Sequence, residues 1–225
     1  MNNRVPLPKE PIENLDAVNQ YDRGAKYYMM PEYKYFVWKI IRKGIQKGRV
    51  LDIGTGSGLL AIELAKSKFG KYFDIYALDI SQDMLTRAVA NAKAAGVADR
   101  IKFIYGTAAA LPFPDNYFDL VISYASLHHW FDPEAVIKET ERVTREKGTI
   151  IIRDNKRVYD NPFWRCFIWL ISLFMNKRHR ENWPKAIMAS YTIPEIKKIL
   201  NQSGSGNWQV GSDFIHFDMY LELLK

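Results

Sequence analysis

Short runs of branched apolar residues alternate along the chain with stretches of helical spacing. Val50, Leu51 and Ile53 predict a buried strand over residues 49–53. From Leu59 the pairs Leu60/Leu64 and Ala61/Ala65 recur at i, i+4, the period of a helix. Residues 73–80 read as a second strand, and Ser81 can cap an alanine-rich helix over 82–95 that stops at Gly96. Strands follow at 101–105 and 118–123, then a helix from Pro133 to about Arg145 and a fifth strand at 148–153. Upstream, Pro31 opens a helix to about Gln46 with Phe36, Ile40 and Ile41 on one face. This alternation predicts an α/β fold: a parallel sheet with helices on both faces.

The alternation breaks after Asp154. Asn161-Pro162 opens a strongly apolar helix over 163–175, and the basic run Asn176-Lys177-Arg178-His179-Arg180 follows it. Thr192 and Pro194 start a further helix over 193–200, residues 203–207 form a glycine-serine turn, and 208–210 and 214–221 read as a closing pair of strands. At the other end, Pro6, Pro8 and Pro11 predict an extended start, and residues 21–28 are denser in aromatics than a plain tail needs.

Composition narrows this picture. A chain of 225 residues suits one α/β domain with elaboration. The single cysteine, Cys166, excludes an intramolecular disulfide and argues for a reducing, cytoplasmic setting, and no secretory signal opens the chain. The longest apolar run is interrupted by Arg165 and is too short to span a bilayer. The net charge of +7 is unevenly placed: residues 1–48 carry +4, 49–152 carry −1, 153–198 carry +6 and 199–225 carry −2. The excess is either a solvated surface or a patch that steers anionic partners.

Between the first strand and helix lie Gly54, Gly56 and Gly58, two residues after Asp52. Glycine tolerates positive φ and lets a ligand approach the backbone, and the following helix points its free N–H groups into the turn. A dinucleotide fingerprint would need glycine at position 59, where Leu59 stands, and a Walker loop would need a Gly-Lys-Ser/Thr ending, which is absent. Asp79 ends the second strand, on the edge where open α/β sheets bind ligands, and can accept both hydroxyls of a ribose, with Ile80 as an apolar wall beside it.

The segment 50–58 (Val-Leu-Asp-Ile-Gly-Thr-Gly-Ser-Gly) resembles the first motif of class I S-adenosylmethionine-dependent methyltransferases. Phe118-Asp119-Leu120-Val121-Ile122, then Leu127-His128-His129-Trp130, then Glu141-Arg142-Val143 with Lys147-Gly148 are similar to later motifs in the same order, so the resemblance covers about residues 48–154. It implies a Rossmann-like, doubly wound, mostly parallel seven-stranded sheet with a terminal antiparallel hairpin. It also implies a division into an N-terminal helical cover (1–47), a cofactor core (48–154), a helical substrate insertion (155–191) and a final helix and strand pair (192–225). The implied cofactor is S-adenosyl-L-methionine, leaving as S-adenosyl-L-homocysteine. Asp52, Gly54, Thr55, Gly56 and Gly58 fall at its amino-acid end; Asp79, Ile80 and Met84 at its ribose and base; and Gly106, Thr107, Ala108 and Ser123 beside it. Many relatives carry an acidic residue where this chain has Thr107, so the adenine amino group must be met here by the hydroxyl, a backbone carbonyl or water.

A methyl on a sulfonium is already activated, so such an enzyme must bind the cation, align the acceptor and exclude water; a base is needed only for a protonated nucleophile. His128 is the candidate base, and His128, His129 and Asp154 the candidate substrate contacts, with Tyr21 or Tyr28 reaching in from the cover and Trp164 from the insertion. Adjacent histidines point apart and no cysteine or carboxylate cluster completes four ligands, so no metal site is expected. The expected acceptor is small or lipophilic, reached through peripheral membrane contact at 163–180, with the chain a monomer or homodimer. Nucleic acid is not expected, because Ser123-Tyr124-Ala125-Ser126 lacks the Asn/Asp-Pro-Pro-aromatic motif of base methylases. The competing readings are an RNA or protein methyltransferase, a catalytically silent cofactor-binding protein and, least favoured, a dehydrogenase.

Overall fold

A computed structural model describes residues 4–7, 12–158, 162–175, 177–203, 206–213 and 218–225. Its centre is a seven-stranded sheet made of β1 (Gly48–Ile53), β2 (Phe73–Asp79), β3 (Ile101–Tyr105), β4 (Phe118–Tyr124), β5 (Thr144–Asn155), β6 (Gln209–Asp213) and β7 (Asp218–Leu224). The strands lie in the order β3-β2-β1-β4-β5-β7-β6. The first five run parallel, and β7 pairs antiparallel with both β5 and β6. This is the doubly wound sheet with an antiparallel end that the sequence implies. Its strand order reverses between β1 and β4, the switch point at which such sheets open a crevice at their carboxyl ends.

The near-continuous apolar runs are explained by burial on both faces. Val50 and Ile75 point to one side with Leu120, under α2 (Met30–Arg42) and α3 (Leu59–Lys66). Leu51 and Ile53 point to the other with Val121, under α5 (Pro133–Val143) and α8 (Ile193–Ser203). Over the carboxyl edge lie α1 (Leu15–Tyr28), α6 (Pro162–Ser172) and α7 (Lys177–Ala189), and α4 (Gln82–Ala94) follows β2.

Residues 15–28 form a helix, in keeping with the helical cover implied for the N-terminal segment; it is capped by the Asn14 side chain, which accepts from the amides of Asp16 at 2.9 Å and Ala17 at 3.2 Å. Three local expectations change. α2 ends at Arg42 rather than Gln46, because Gly44 takes a left-handed turn at φ 84°. α5 stops at Val143 and β5 begins at Thr144, since Thr144 already pairs with Phe118. The basic run after α6 opens α7, a helix that carries Pro184 inside it. The first part of the strand expected over 214–221, the Asn161 helix start, residues 204–205 of the glycine-serine turn and the side chains of Arg178 and His179 lie outside the described residues.

Candidate active site

The turn after β1 is held by backbone bonds from Gly54 and Thr55 N–H to the carbonyl of Leu78 on β2, at 2.9 and 3.0 Å. Gly54, Gly56 and Gly58 have φ of 70°, 54° and 79°, a region that disfavours side chains. At two of them there is also no room. A Cβ on Gly54 would run into the Ser126 hydroxyl, and one on Gly58 would meet the Ala88 Cβ at 2.8 Å. Gly56 is different, since its open side faces a cavity and only the Tyr21 ring stands nearby, at 3.7 Å from such a Cβ.

That cavity, of about 370 Å³, runs along the carboxyl ends of β1, β2 and β3. Asp79 stands at its side, with Oδ2 accepting from Gly56 N–H at 2.7 Å and Oδ1 from Ser81 N–H at 2.9 Å. Each oxygen keeps a lone pair for a further donor, so two vicinal hydroxyls could still be met. Burial holds the Asp79 carboxyl above its ordinary range, which backbone donors at Ser81, Gly56 and Ile80 offset in part. Ile80, half exposed, and Met84 and Ala108 give apolar walls, as a flat base requires. The residues therefore fit a nucleoside cofactor with a polar tail: hydroxyl acceptors at one side, apolar faces for the base, and bare backbone at Gly56.

A second cavity of about 580 Å³ lies beside the first, between the sheet edge and α1, α2, α6 and α7. Phe167, Ile168, Met175, Trp183 and Ile187 give it largely apolar walls, and Glu32 and Asp218 add carboxylates. Ile12, Tyr21, Ala125 and His129 line both cavities and mark where they meet. Ala125 reaches this position with φ 54°, a strained conformation for a residue with a Cβ, stored at the junction.

The chemistry of the second cavity centres on His128. Its Nδ1 lies 2.7 Å from Asp154 Oδ1, and its backbone N–H donates to Asp154 Oδ2 at 2.8 Å. Both side chains are buried, and Asp154 Oδ1 also accepts from Asn155 N–H at 2.6 Å. In the neutral imidazole Nδ1 then carries the proton and Nε2 is left as the acceptor. His129, its ring centroid 4.2 Å away, is pushed down to about 4 by burial and by His128, so it stands neutral at the junction. Tyr21, pushed up to about 12 mainly by burial, keeps its proton and shares a hydrogen bond with Tyr33.

The structure gathers Gly54, Gly56, Asp79, Ile80, Met84, Gly106, Thr107 and Ala108 around the first cavity and Tyr21, Tyr28, His128 and His129 around the second. Asp52, Thr55, Gly58 and Ser123 stand behind the wall. Thr55 Oγ1 donates to Asp52 at 2.7 Å, and Ser123 Oγ to the Ile53 carbonyl at 2.9 Å. Asp154, expected at the acceptor, lines neither cavity and stands behind His128. Trp164 is turned onto Phe163 and Phe167, and Phe167 is the ring of that pair that reaches the cavity. The Thr107 hydroxyl accepts from Ala109 N–H at 3.3 Å. Sequence reasoning passes over Ile12, Ser81, Glu32 and Asp218. Only Ser81, as a helix cap next to Asp79, carried a local signal.

A carboxylate facing a glycine turn where the strand order reverses defines a nucleoside-cofactor enzyme of the doubly wound α/β class. Comparison with known proteins narrows the class. Residues 51–152 match the methyltransferase domain family. The chain is 26% identical over 169 residues to the ubiquinone/menaquinone biosynthesis C-methyltransferase UbiE of Yersinia enterocolitica, covering 72% of this chain and 67% of that one. Among solved structures, it is similar to an S-adenosyl-L-methionine-dependent methyltransferase described as putative from Methanococcus maripaludis (TM-score 0.74, 24% identity, 98% of this chain and 97% of that one). It is also similar to phosphoethanolamine N-methyltransferase 2 of Haemonchus contortus, solved with phosphomonomethylethanolamine and S-adenosylhomocysteine (TM-score 0.58, 22% identity, 76% of this chain and 36% of that one). Over residues 51–152 the chain carries a methyltransferase domain, and its activity is that of an S-adenosylmethionine-dependent methyltransferase.

Proposed function

We propose that this methyltransferase alkylates a small lipophilic acceptor whose nucleophilic atom, an acidic carbon or a hydroxyl, gives up its proton to His128. The observation that carries the reading is the buried His128–Asp154 pair, 2.7 Å apart, on the wall of a largely apolar cavity that meets the cofactor cavity. When bound, the cofactor supplies a methyl on a sulfonium whose leaving group is a neutral thioether. The chain's own part is to orient and deprotonate. His128 Nε2 takes the acceptor's proton, and Asp154 fixes the tautomer and faces the imidazolium that results. Neutral His129 at the junction adds no positive charge beside a cationic cofactor. The relatives named as C-methyltransferases favour carbon as the methylated atom.

In this reading Gly54, Gly56, Asp79, Ile80, Met84, Gly106, Thr107 and Ala108 contact the cofactor, while Asp52, Thr55, Gly58 and Ser123 hold that wall. Tyr21, Tyr28, His128 and His129 face the acceptor, and the protein works in the cytoplasm as a monomer or homodimer. Among the described residues no helix is long and apolar enough to cross a membrane. The test is transfer of tritiated methyl from labelled cofactor into a metabolite extract, with the product identified by mass spectrometry. His128→Gln should lower kcat by about 10²–10⁴-fold, the usual worth of a positioned base, with S-adenosylhomocysteine affinity unchanged. A His128→Gln enzyme with normal turnover, or label confined to RNA or protein, would overturn it.

A further inference from the structure

We infer that the outward face of α6 docks this enzyme onto an anionic lipid leaflet, bringing one wall of the acceptor cavity to the membrane; the purpose of this contact, though not the contact itself, rests on the lipophilic acceptor proposed above. Phe163, Trp169 and Leu170 on α6 and Leu173 and Phe174 in the turn just beyond it are 64, 61, 50, 45 and 85% exposed, while Ile168 and Ser172 on the opposite side of the helix are buried. Phe163, Leu170 and Leu173 recur at helical spacing along one side, and exposed Cys166 lies between them. A contiguous apolar face of this kind on a water-facing helix marks an interaction site.

Charge decides what covers it. Between Asp160 and Glu181 the sequence holds no acidic residue, and the side chains of Arg165, Lys177 and Arg180 in that stretch stand exposed. A second copy docked about a twofold axis would set these cations against their own images. Anionic headgroups complement them, and aromatic and leucine side chains with a basic flank make up an interfacial helix that lies in the headgroup plane. The inner side of the same segment supports a lipid partner as well. Phe167, Ile168 and Met175 line the acceptor cavity, so a lipophilic molecule leaving the leaflet would find the cavity wall on the helix it touches.

The experiment is co-sedimentation of the full chain with vesicles of phosphatidylglycerol and phosphatidylcholine, against vesicles of phosphatidylcholine alone. Anionic vesicles should bind at least about tenfold more tightly, and added salt should weaken the contact. The double variant Trp169→Ser, Phe174→Ser alters two side chains outside both cavities. It should lose about tenfold or more of the partitioning, with melting temperature and calorimetric affinity for S-adenosylhomocysteine unchanged. Wild-type protein that stays in the supernatant with anionic vesicles would overturn the inference, as would a solution dimer that the double variant abolishes. Vesicle binding uses no acceptor. A water-soluble methylated product alongside tight vesicle binding would therefore sink the acceptor reading and leave the docking standing, and the reverse pair of results would do the opposite.

Discussion

At the scale of single residues, the cofactor cavity depends most on Asp79, because it faces the cavity and also braces the turn that forms the other wall. Replacing it by alanine removes acceptors for two ligand hydroxyls and for the Gly56 amide. S-adenosylhomocysteine should bind roughly 1.5–3 kcal/mol more weakly by calorimetry, the range for a hydrogen bond to a charged group. Asp79→Asn should fall between, and wild-type affinity in the alanine variant would remove the ribose assignment. Asp52 behaves differently, since it lies behind the wall. Burial raises its carboxyl to about 7, against the Thr55 hydroxyl that favours the charged form. The folded chain therefore holds this proton through the interval between the ordinary carboxylate value and about 7, where the unfolded chain has released it. The stability this confers is complete below that interval and is lost as pH rises through it. Asp52→Asn carries no such proton, so from pH 5 to 7 its stability should gain on wild type by up to about 1.4 kcal/mol per pH unit in urea titrations. Parallel profiles would refute the shift. The glycines, Asp52 and Asp79 were legible because a strand-to-helix turn is a local event with local spacing. Glu32 and Asp218 were not, since they meet at the acceptor cavity from opposite ends of the chain and nothing in their own neighbourhoods marks them.

At the scale of elements, the sheet was legible in its own residues, whereas the helical cover was implied by the resemblance and the position of α1 within it was not legible. Five parallel strands announce themselves because burial on both faces leaves unbroken apolar runs. α1 has no such run. Its buried positions are Val18, Asp22, Gly24 and Ala25, so the residue that faces inward is in one case an acid. Asp22 makes sense only across space. Its carboxylate accepts from Lys26 at 2.8 Å, from Arg87 on α4 at 2.8 Å and from Asn91 at 2.7 Å, while Asn91 also donates to the Ser57 carbonyl at 2.9 Å. Burial alone would raise this carboxyl, but its donors, Lys26, Asn91, Arg87 and Ser57, hold it below its usual range. One buried side chain thus pins the cover to α4 and to the glycine turn. Asp22→Ala leaves Asn91 and Arg87 without that partner and should cost about 3 kcal/mol in urea unfolding, with a smaller loss for Asp22→Asn. The stability it supplies is present above the ordinary carboxylate range and is lost as pH falls below it. A change under about 0.5 kcal/mol, the size of an ordinary surface substitution, would mean the network is dispensable. α7 and the early start of β5 escaped for a related reason. The former opens on polar residues, and the latter is fixed by pairing of Thr144 with Phe118 and by the far end of the chain, where Lys147 N–H donates to the Lys225 carbonyl at 2.7 Å.

At the scale of the whole molecule, the chain's first described residues tie the two cavities together. Arg4 donates from Nε to the Ala189 carbonyl at 2.6 Å and from its terminal nitrogen to the His128 carbonyl at 3.0 Å, and its guanidinium lies 4.1 Å from the Tyr191 ring centroid. Val5 N–H donates to the Met188 carbonyl at 3.2 Å, and further along the Ile12 carbonyl accepts from Ser81 Oγ at 2.7 Å, next to Asp79. Leu7 lines the acceptor cavity and Ile12 lines both. Arg4 and Val5 are therefore anchored beside His128, and Ile12 beside Asp79, two points that the sheet supports separately. These contacts lie on the carboxyl edge and add nothing to the sheet's own pairing, so their loss should disturb alignment more than folding. Arg4→Ala should change unfolding free energy by about 1 kcal/mol, the net worth of an ordinary hydrogen bond. It should leave S-adenosylhomocysteine affinity close to wild type and lower kcat about tenfold or more, because misplacement at the reacting centre is costly. Arg4→Lys keeps the charge but cannot fork between two carbonyls and stack on Tyr191, so it should not restore kcat. Full turnover in Arg4→Ala would show that the segment merely packs against the edge; a loss confined to acceptor KM would show that it shapes the cavity and leaves His128 in place.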